Sequence, residues 1–307
     1  MTALLDAIRG KTESALASGD LSPLETSETV VEQNGLRFIV RWAEALARKD
    51  AAKAAAPVAE EKSAAGADKV ILPGGPRDPN FNPFLNPDPA LTVGPIGTQH
   101  TIVLNKFPVC LHHLVLARRE FAEQLTPLEL CDFAVLAELL STLGGLGFYN
   151  GGAPAGASQR HKHVQWVPAD PGNASLAQLA AGLPADARPG VVYRHPALSM
   201  AHALLKVEAG LGADQPASAA AMLAAYDQGR AALGLVPGAD GLLPSFNMLA
   251  GNGWLLLVPR SQEHFEGVSI NALSFGGTIY VRQPEQVALI RGTGPLQALA
   301  SVGRPAE

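Results

Sequence analysis

"GFYNGGAPAGASQRHKHVQWV" spans residues 147–167. Its two ends read as β-strands, one aromatic, the other alternating. Between them runs a loop of Gly, Ala, Pro and Ser that can continue neither strand. The stretch is therefore a strand pair joined by a small-residue loop. In the second strand side chains alternate, so His161, His163, Gln165 and Val167 share one face. Lys162, Val164 and Trp166 share the other, which is largely apolar and is expected to pack into the core. The polar face carries whatever chemistry the stretch has.

The surroundings extend this pattern. "TPLELCDFAVLAELLSTLGG" (126–145) is the clearest helix. Thr126 suits the N-cap, Pro127 the first helical position, and Glu129 a capping box. Leu128, Val135, Leu139 and Leu143 recur near helical spacing, and Gly144 with Gly145 ends the run. "HTIVLNKFPV" (100–109) and "HHLVLARR" (112–119) are β-type runs a few residues apart. An amphipathic helix opens the chain to about Ser18, and "GLRFIVRWAEAL" (35–46) begins as a strand. Residues 48–69 are rich in Ala, Lys and Glu, lack large side chains and are expected to form a mobile loop. Residues 72–89, dense in Pro, Gly and Asn, should be an ordered loop anchored by Phe81 and Phe84.

Pro, Gly and Ala dominate residues 170–190, which places a linker there. A second part follows, with a helix over 219–234, strands "WLLLVPR" (254–260) and "GTIYVR" (277–282), and two short terminal helices. The expected division is an N-terminal part, 1–169, and a C-terminal part, 190–303. No internal repeat of useful strength is visible. The fold class is α+β, with antiparallel sheet favoured over a βαβ array.

Composition limits the partners. The 307 residues are 47% hydrophobic and 17% charged, enough to bury a sizeable core. The formal net charge of -5 argues against nucleic acid. No stretch approaches the ~20 apolar residues of a membrane span. Two cysteines, Cys110 and Cys131, cannot build a disulfide framework or a four-cysteine zinc site. The expectation is a soluble cytoplasmic protein.

Taken alone, the spacing of His161 and His163 admits three readings: hydrogen-bonded structural histidines, a metal pair, or a nucleophile beside a phosphate. A zinc site needs a third protein ligand. No Cys, Asp or Glu is near in sequence, and Cys110, His112 and His113 approach only if the fold brings them. The loop shifts the balance. Gly151, Gly152, Gly156 and Ala157 let a ligand approach the backbone, and Ser158 and Gln159 add side-chain donors. Free backbone N–H groups in such a loop form an anion-binding concavity. A neutral imidazole beside bound phosphate is a covalent nucleophile in reach of its target.

"NGGAPAGASQRHKHVQ" (150–165) resembles the signature of the diadenosine tetraphosphate (Ap4A) phosphorylases, or ATP adenylyltransferases, of the histidine-triad superfamily. "FNPFLNPDPAL", "LNKFPV", "LVLARREF", "LTPLEL", "SFNML", "WLLLVPRS" and "INALSFGGTIYVR" resemble family segments in the same order. The likeness runs from about Phe81 to Arg282, with a weaker match near Lys49. It implies a HIT-like fold, a mainly antiparallel sheet flanked by helices, with the C-terminal part completing a nucleotide site. It also implies phosphorolysis of Ap4A to ATP and ADP through a covalent adenylyl-histidine.

Carried over by position, the resemblance makes His163 the nucleophile and His161 a support, with a backbone carbonyl holding the nucleophile's other ring nitrogen. Gln165 stands where related hydrolases usually have histidine. Gly156, Ala157, Ser158 and Gln159 fall on the phosphate loop, and Asn150 on a nucleotide-binding Asn. Asn105 and Lys106 fall on a ligand-contacting pair. Asn271, Ala272, Leu273 and Thr278 fall on a nucleotide-contacting stretch. Arg282 stands where Lys is frequent, and Ala272 where a hydroxyl residue is common. Lys49 matches a phosphate-contacting Lys through a short segment and reads equally as a solvated helix lysine. Asn150 reads also as a turn residue, Arg282 as a partner of Glu285, and His112 and His113 as strand-entry residues. His195, His202 and His264 read as structural or surface groups.

The expected ligands are Ap4A, ATP, ADP and inorganic phosphate. No tightly bound cofactor or resident metal is expected, and Mg²⁺ or another divalent ion accompanies the polyphosphate. A monomer is favoured. Two rivals remain: a dinucleoside polyphosphate hydrolase of the same fold, and a non-catalytic nucleotide sensor.

Overall fold

The computed structural model describes residues 3–23, 26–43, 71–72, 75–76, 82–169, 177–208 and 215–306. Lys49, Phe81 and the segment read as a mobile loop lie outside the described residues.

The elements in chain order are α1 (Ala3–Ser18), β1 (Thr26–Gln33), β2 (Leu36–Ala43), β3 (Ile71–Leu72), β4 (Gly75–Pro76), β5 (Thr92–Ile96), β6 (His100–Leu104), β7 (Leu114–Arg118), α2 (Leu130–Leu143), β8 (Leu146–Gly151), β9 (His163–Val167) and α3 (Ala177–Ala180). The second part adds β10 (Val192–Tyr193), β11 (Ala203–Lys206), α4 (Gln215–Ala232), β12 (Phe246–Gly251), β13 (Trp254–Pro259), β14 (His264–Phe265), β15 (Val268–Ser269), α5 (Ala272–Phe275), β16 (Thr278–Val281), α6 (Pro284–Thr293) and α7 (Pro295–Val302).

A nine-stranded sheet in the order β10-β11-β13-β12-β8-β9-β7-β6-β5 carries the molecule. Every neighbouring pair in it is antiparallel. It crosses from the first part to the second where β8 meets β12, with Asn150 directly opposite Asn247. The fold is α+β, as the residue patterns indicate.

The sheet contains one unit twice. Strand, helix, strand, strand appears as β7-α2-β8-β9 and again as β11-α4-β12-β13, each with its last strand in the middle. A histidine, His113 or His202, precedes the first strand of each unit. The sequence shows no such repeat because the two units bury different chemistry. On the polar face of the first stand His163 and Gln165, whereas Leu256 and Val258 of the second sit in a hydrophobic core.

Two cores flank the sheet. On one face α1, α2 and α4 pack their apolar stripes, with Ile8, Phe133, Leu136, Met222 and Tyr226 against Leu116, Val164, Trp166, Met248 and Leu257. On the other, a small sheet in the order β1-β2-β16, with α5, α6 and α7, covers the β11-β13-β12 half through Phe38, Phe275, Ile279 and Leu299. Much of the β8-β9-β7 half of that face is left to line a cavity.

Helix α2 begins later than its sequence signals suggest. Its N-cap is Glu129, in a reciprocal capping box with Asp132. Thr126 and Pro127 stay outside the helix, their carbonyls taken by the Lys162 ammonium at 3.0 and 2.7 Å. Lys162, directly before β9, is 1% exposed, and these bonds satisfy its buried ammonium. The segment expected to be a bare linker likewise contributes to the core, since Leu179 of α3 is buried.

Candidate active site

The uncovered half-face floors a cavity of about 770 Å³. His163, Gln165, Asn150, Asn105, Lys106, Gly156, Ala157, Ser158, Gln159, Asn271 and Leu273 line it together with Phe84 and His113. Eleven positions read from sequence are thus brought to one cavity from the turn after β6, from β8, β9 and the loop between them, and from the start of α5.

His163 is held by its backbone and by one ring nitrogen. Nδ1 donates to the His161 carbonyl at 2.8 Å. That fixes the tautomer and leaves Nε2 with its lone pair. The Gln124 side chain clamps the strand from behind. Its Oε1 accepts from the His163 N–H at 2.9 Å, and its Nε2 donates to the carbonyls of His163 and Asn150 at 3.1 and 3.0 Å. The Phe84 ring lies 5.0 Å from the imidazole, centroid to centroid. Burial lowers the pKa of His163 to about 4, so the ring is neutral at physiological pH.

His161 does not line the cavity. Nε2 donates to the Arg118 carbonyl at 2.7 Å, so Nδ1 is the acceptor for the Asn82 amide at 2.9 Å. Both nitrogens are engaged, so His161 and His163 do not converge on a shared metal. Among the described residues Glu129, Cys131 and Asp132 offer clustered ligand atoms, but the two carboxylates are held by the Arg118 guanidinium.

Gln165 is oriented by a residue read from sequence as a strand-entry group. Its Oε1 accepts from His113 Nε2 at 3.0 Å, while the Asn105 amide donates to His113 Nδ1 at 3.2 Å. Burial lowers the His113 pKa to about 4, which keeps the ring neutral and this donor–acceptor order intact. The Gln165 amide nitrogen is therefore left for the cavity.

The loop supplies fewer free amides than its composition suggests. The N–H groups of Gly156 and Ala157 close turns onto Ala153 and Gly152. Those of Ser158 and Gln159 have no protein acceptor among the described residues. Gly156 has φ 88°, and a Cβ there would come within 2.9 Å of Asn271 Cβ, so the loop packs directly on the second part. Asn271 caps α5, its Oδ1 accepting from the Leu273 N–H at 3.0 Å.

Besides His161, three positions read from sequence stand off the wall. Ala272 is fully buried, and its N–H donates to Asn150 Oδ1 at 2.9 Å. Thr278 is buried in β16, opposite Ile39 of β2. Arg282 follows β16, its N–H donating to Gln286 at 2.9 Å. Conversely, sequence reasoning gave no role to Asn82, Gln124, Asn247 or Arg260, which act through partners 13 to 97 residues away. No local spacing marks them.

The chain matches the Ap4A phosphorylase N-terminal domain over residues 1–180 and the ATP adenylyltransferase C-terminal domain over residues 196–305. It is similar to diadenosine 5',5'''-P1,P4-tetraphosphate phosphorylase 2 of Saccharomyces cerevisiae, 36% identical over 98 residues, 27% of this chain and 30% of that protein. Protein APA1 of the same yeast is 32% identical over 96 residues, again 30% of its length. The matched stretch thus spans less than a third of either yeast protein. The crystal structure of yeast Ap4A phosphorylase Apa2 in complex with Ap4A superposes with a TM-score of 0.74 at 22% identity, over 99% of this chain and 98% of that one. The complex of Apa2 with AMP gives 0.74 at 22% identity, over 98% and 96%. At this identity the superpositions establish a shared fold. The two domain matches succeed one another along the chain and together cover most of it: the chain belongs to the Ap4A phosphorylase family.

Proposed function

We propose that this protein is a nucleotidyltransferase that cleaves Ap4A with inorganic phosphate to give ATP and ADP, reversibly, through an adenylyl group carried on His163. The carrying observation is the tautomer-locked, neutral His163 in a cavity that also presents loop amides. The names of the yeast relatives, and the Ap4A held by Apa2, support the choice of substrate.

In the first step Nε2 of His163 attacks the α-phosphorus of one adenylate. The N–P bond forms, the P–O bond to the remaining phosphates breaks, and ATP leaves. The imidazolium keeps its Nδ1 proton on the His161 carbonyl, which stabilises the positive charge. In the second step a phosphate oxygen attacks the same phosphorus, the P–N bond breaks, and ADP leaves. ATP is a stable anion and needs little proton assistance. Gln165 cannot titrate, so it donates to phosphate oxygen without activating water, and the intermediate waits for phosphate. The proposal takes phosphate as co-substrate and a monomeric, cytoplasmic working state, with no tightly bound cofactor and Mg²⁺ arriving with the polyphosphate to offset its charge. Among the described residues no helix is long and apolar enough to cross a membrane.

The test is incubation with Ap4A, with and without phosphate, resolving the nucleotides. ATP and ADP forming only with phosphate support the proposal. Equal turnover without phosphate indicates a hydrolase, and binding without turnover a sensor. Two further results are expected. Because His163 titrates near pH 4, adenylyl transfer should show no acid limb near 6.5 and fall only as pH approaches about 4. A half-maximal rate at pH 6.5 would refute this. Gln165→His should raise hydrolysis relative to phosphorolysis by about tenfold or more, within the range of general-base assistance. An unchanged product ratio would refute the role given to Gln165.

A further inference from the structure

Asn150 and Asn247 face each other across the seam between the two parts, one on β8 and one on β12. Asn247 is fully buried and both ends of its amide are engaged. Nδ2 donates to Asn150 Oδ1 and to the Ala155 carbonyl, each at 2.9 Å. Oδ1 accepts from Arg260 Nη1. Asn150 Oδ1 also accepts the Ala272 N–H at 2.9 Å, so both its lone pairs are used. The amide of Asn150 has one orientation compatible with these donors, oxygen inward and Nδ2 outward, and the residue lines the cavity.

Arg260 anchors the far end. It is 2% exposed, and its other acceptors among the described residues are neutral carbonyls, those of Val302, Ile270, Gln262 and Glu263, at 2.7 to 3.3 Å. Its guanidinium stacks on Phe275, 5.3 Å from the ring centroid. A buried cation thus donates to one amide, which donates to a second, which points its N–H groups at the cavity. Hydrogen bonds aligned in one sense polarise each other and strengthen the last donor.

We propose that Asn247, polarised by Arg260, is a positioning residue that locks Asn150 as a hydrogen-bond donor to anionic oxygen in the cavity. The second part thereby helps to set the affinity of a site whose nucleophile belongs to the first. This rests on the reading of the cavity as a phosphate site.

Asn247→Asp is the discriminating change. It preserves size and pairs directly with Arg260, so the fold should survive, as thermal unfolding would show. The carboxylate cannot donate to Asn150 Oδ1 and repels it, which turns the Asn150 oxygen toward the ligand. Calorimetric titration with ADP should show binding weakened about ten- to hundredfold, the range for a lost hydrogen bond to a charged group. Asn150→Ala should weaken ADP binding comparably, and the double variant should be no weaker than Asn150→Ala alone. Asn247→Ala, which leaves Asn150 unlocked without repelling it, should lie between wild type and Asn247→Asp. Unchanged ADP affinity in a folded Asn247→Asp, or additive losses in the double variant, would overturn the inference while leaving the phosphate site standing. A wild-type protein that does not bind ADP would overturn both.

Discussion

His163→Ala is expected to remove adenylyl transfer, lowering turnover of Ap4A by roughly 10⁴-fold or more, as loss of a covalent nucleophile does elsewhere. The reason is local. His163 is the imidazole in the cavity whose Nδ1 is committed to a backbone carbonyl and whose Nε2 keeps a lone pair. His113, also at the wall, has Nε2 bound to Gln165 and Nδ1 to Asn105. His161 lies behind the wall with both nitrogens engaged. Neither can substitute without breaking the network that orients its neighbours. The strand itself should tolerate the change, because Gln124 grips the backbone and not the ring. With Ap4A labelled at the α-phosphates, wild type should carry acid-labile adenylate on the protein in the absence of phosphate. The variant should carry none while melting within a few degrees of wild type. Label retained on His163→Ala would refute the assignment of the nucleophile.

Asp132→Ala is expected to destabilise the fold by about 3–5 kcal/mol, the range for breaking a buried ion pair, because it leaves Arg118 only the exposed Glu129 as a carboxylate partner. Asp132 is fully buried at the start of α2 and accepts four hydrogen bonds. Oδ1 takes Arg118 Nε at 2.7 Å and His100 Nε2 at 3.0 Å, and Oδ2 takes Arg118 Nη2 and the Glu129 N–H, both at 2.8 Å. Burial opposes the charge, but the bonds from Arg118 and His100 outweigh it and hold the carboxyl well below the usual carboxylate range. A depressed carboxyl stabilises the folded state in full above the unfolded pKa of about 3.9, and that stabilisation is lost as pH falls further. Wild type should therefore lose stability below about pH 4 more steeply than Asp132→Ala. The damage should also reach the site, because the Arg118 carbonyl receives His161 Nε2. Denaturant unfolding of both proteins between pH 3 and 7 measures this, and a loss below about 1 kcal/mol at pH 7 would show that the cluster is not an essential ion pair.

Much of the site was legible because its signals are local. The alternation of His163 and Gln165 needs only strand geometry, and β9 supplies it, whereas His161 stands before the strand and bridges Glu123. The small residues of 151–157 mark a tight loop, and the structure folds them into one. The start of α2 departs from its local signals for an equally physical reason. Thr126 and Pro127 carry good start signals, yet Lys162, packed beneath them by the tertiary fold, takes their carbonyls. The repeated strand–helix–strand–strand unit leaves no trace in the residues because topology persists where side-chain chemistry does not.

The sequence by itself determined the fold class, the face that carries His163, and the family to which the chain belongs, since each follows from residue type at short separations. Only the tertiary structure decided how the polar groups point. His113 turns Gln165, and Asn247 turns Asn150, from 52 and 97 residues away. An amide offers a donor and an acceptor at nearly equal cost, so its own identity leaves the choice open. The buried partner that occupies its oxygen makes that choice, and partners of that kind meet only when the sheet closes.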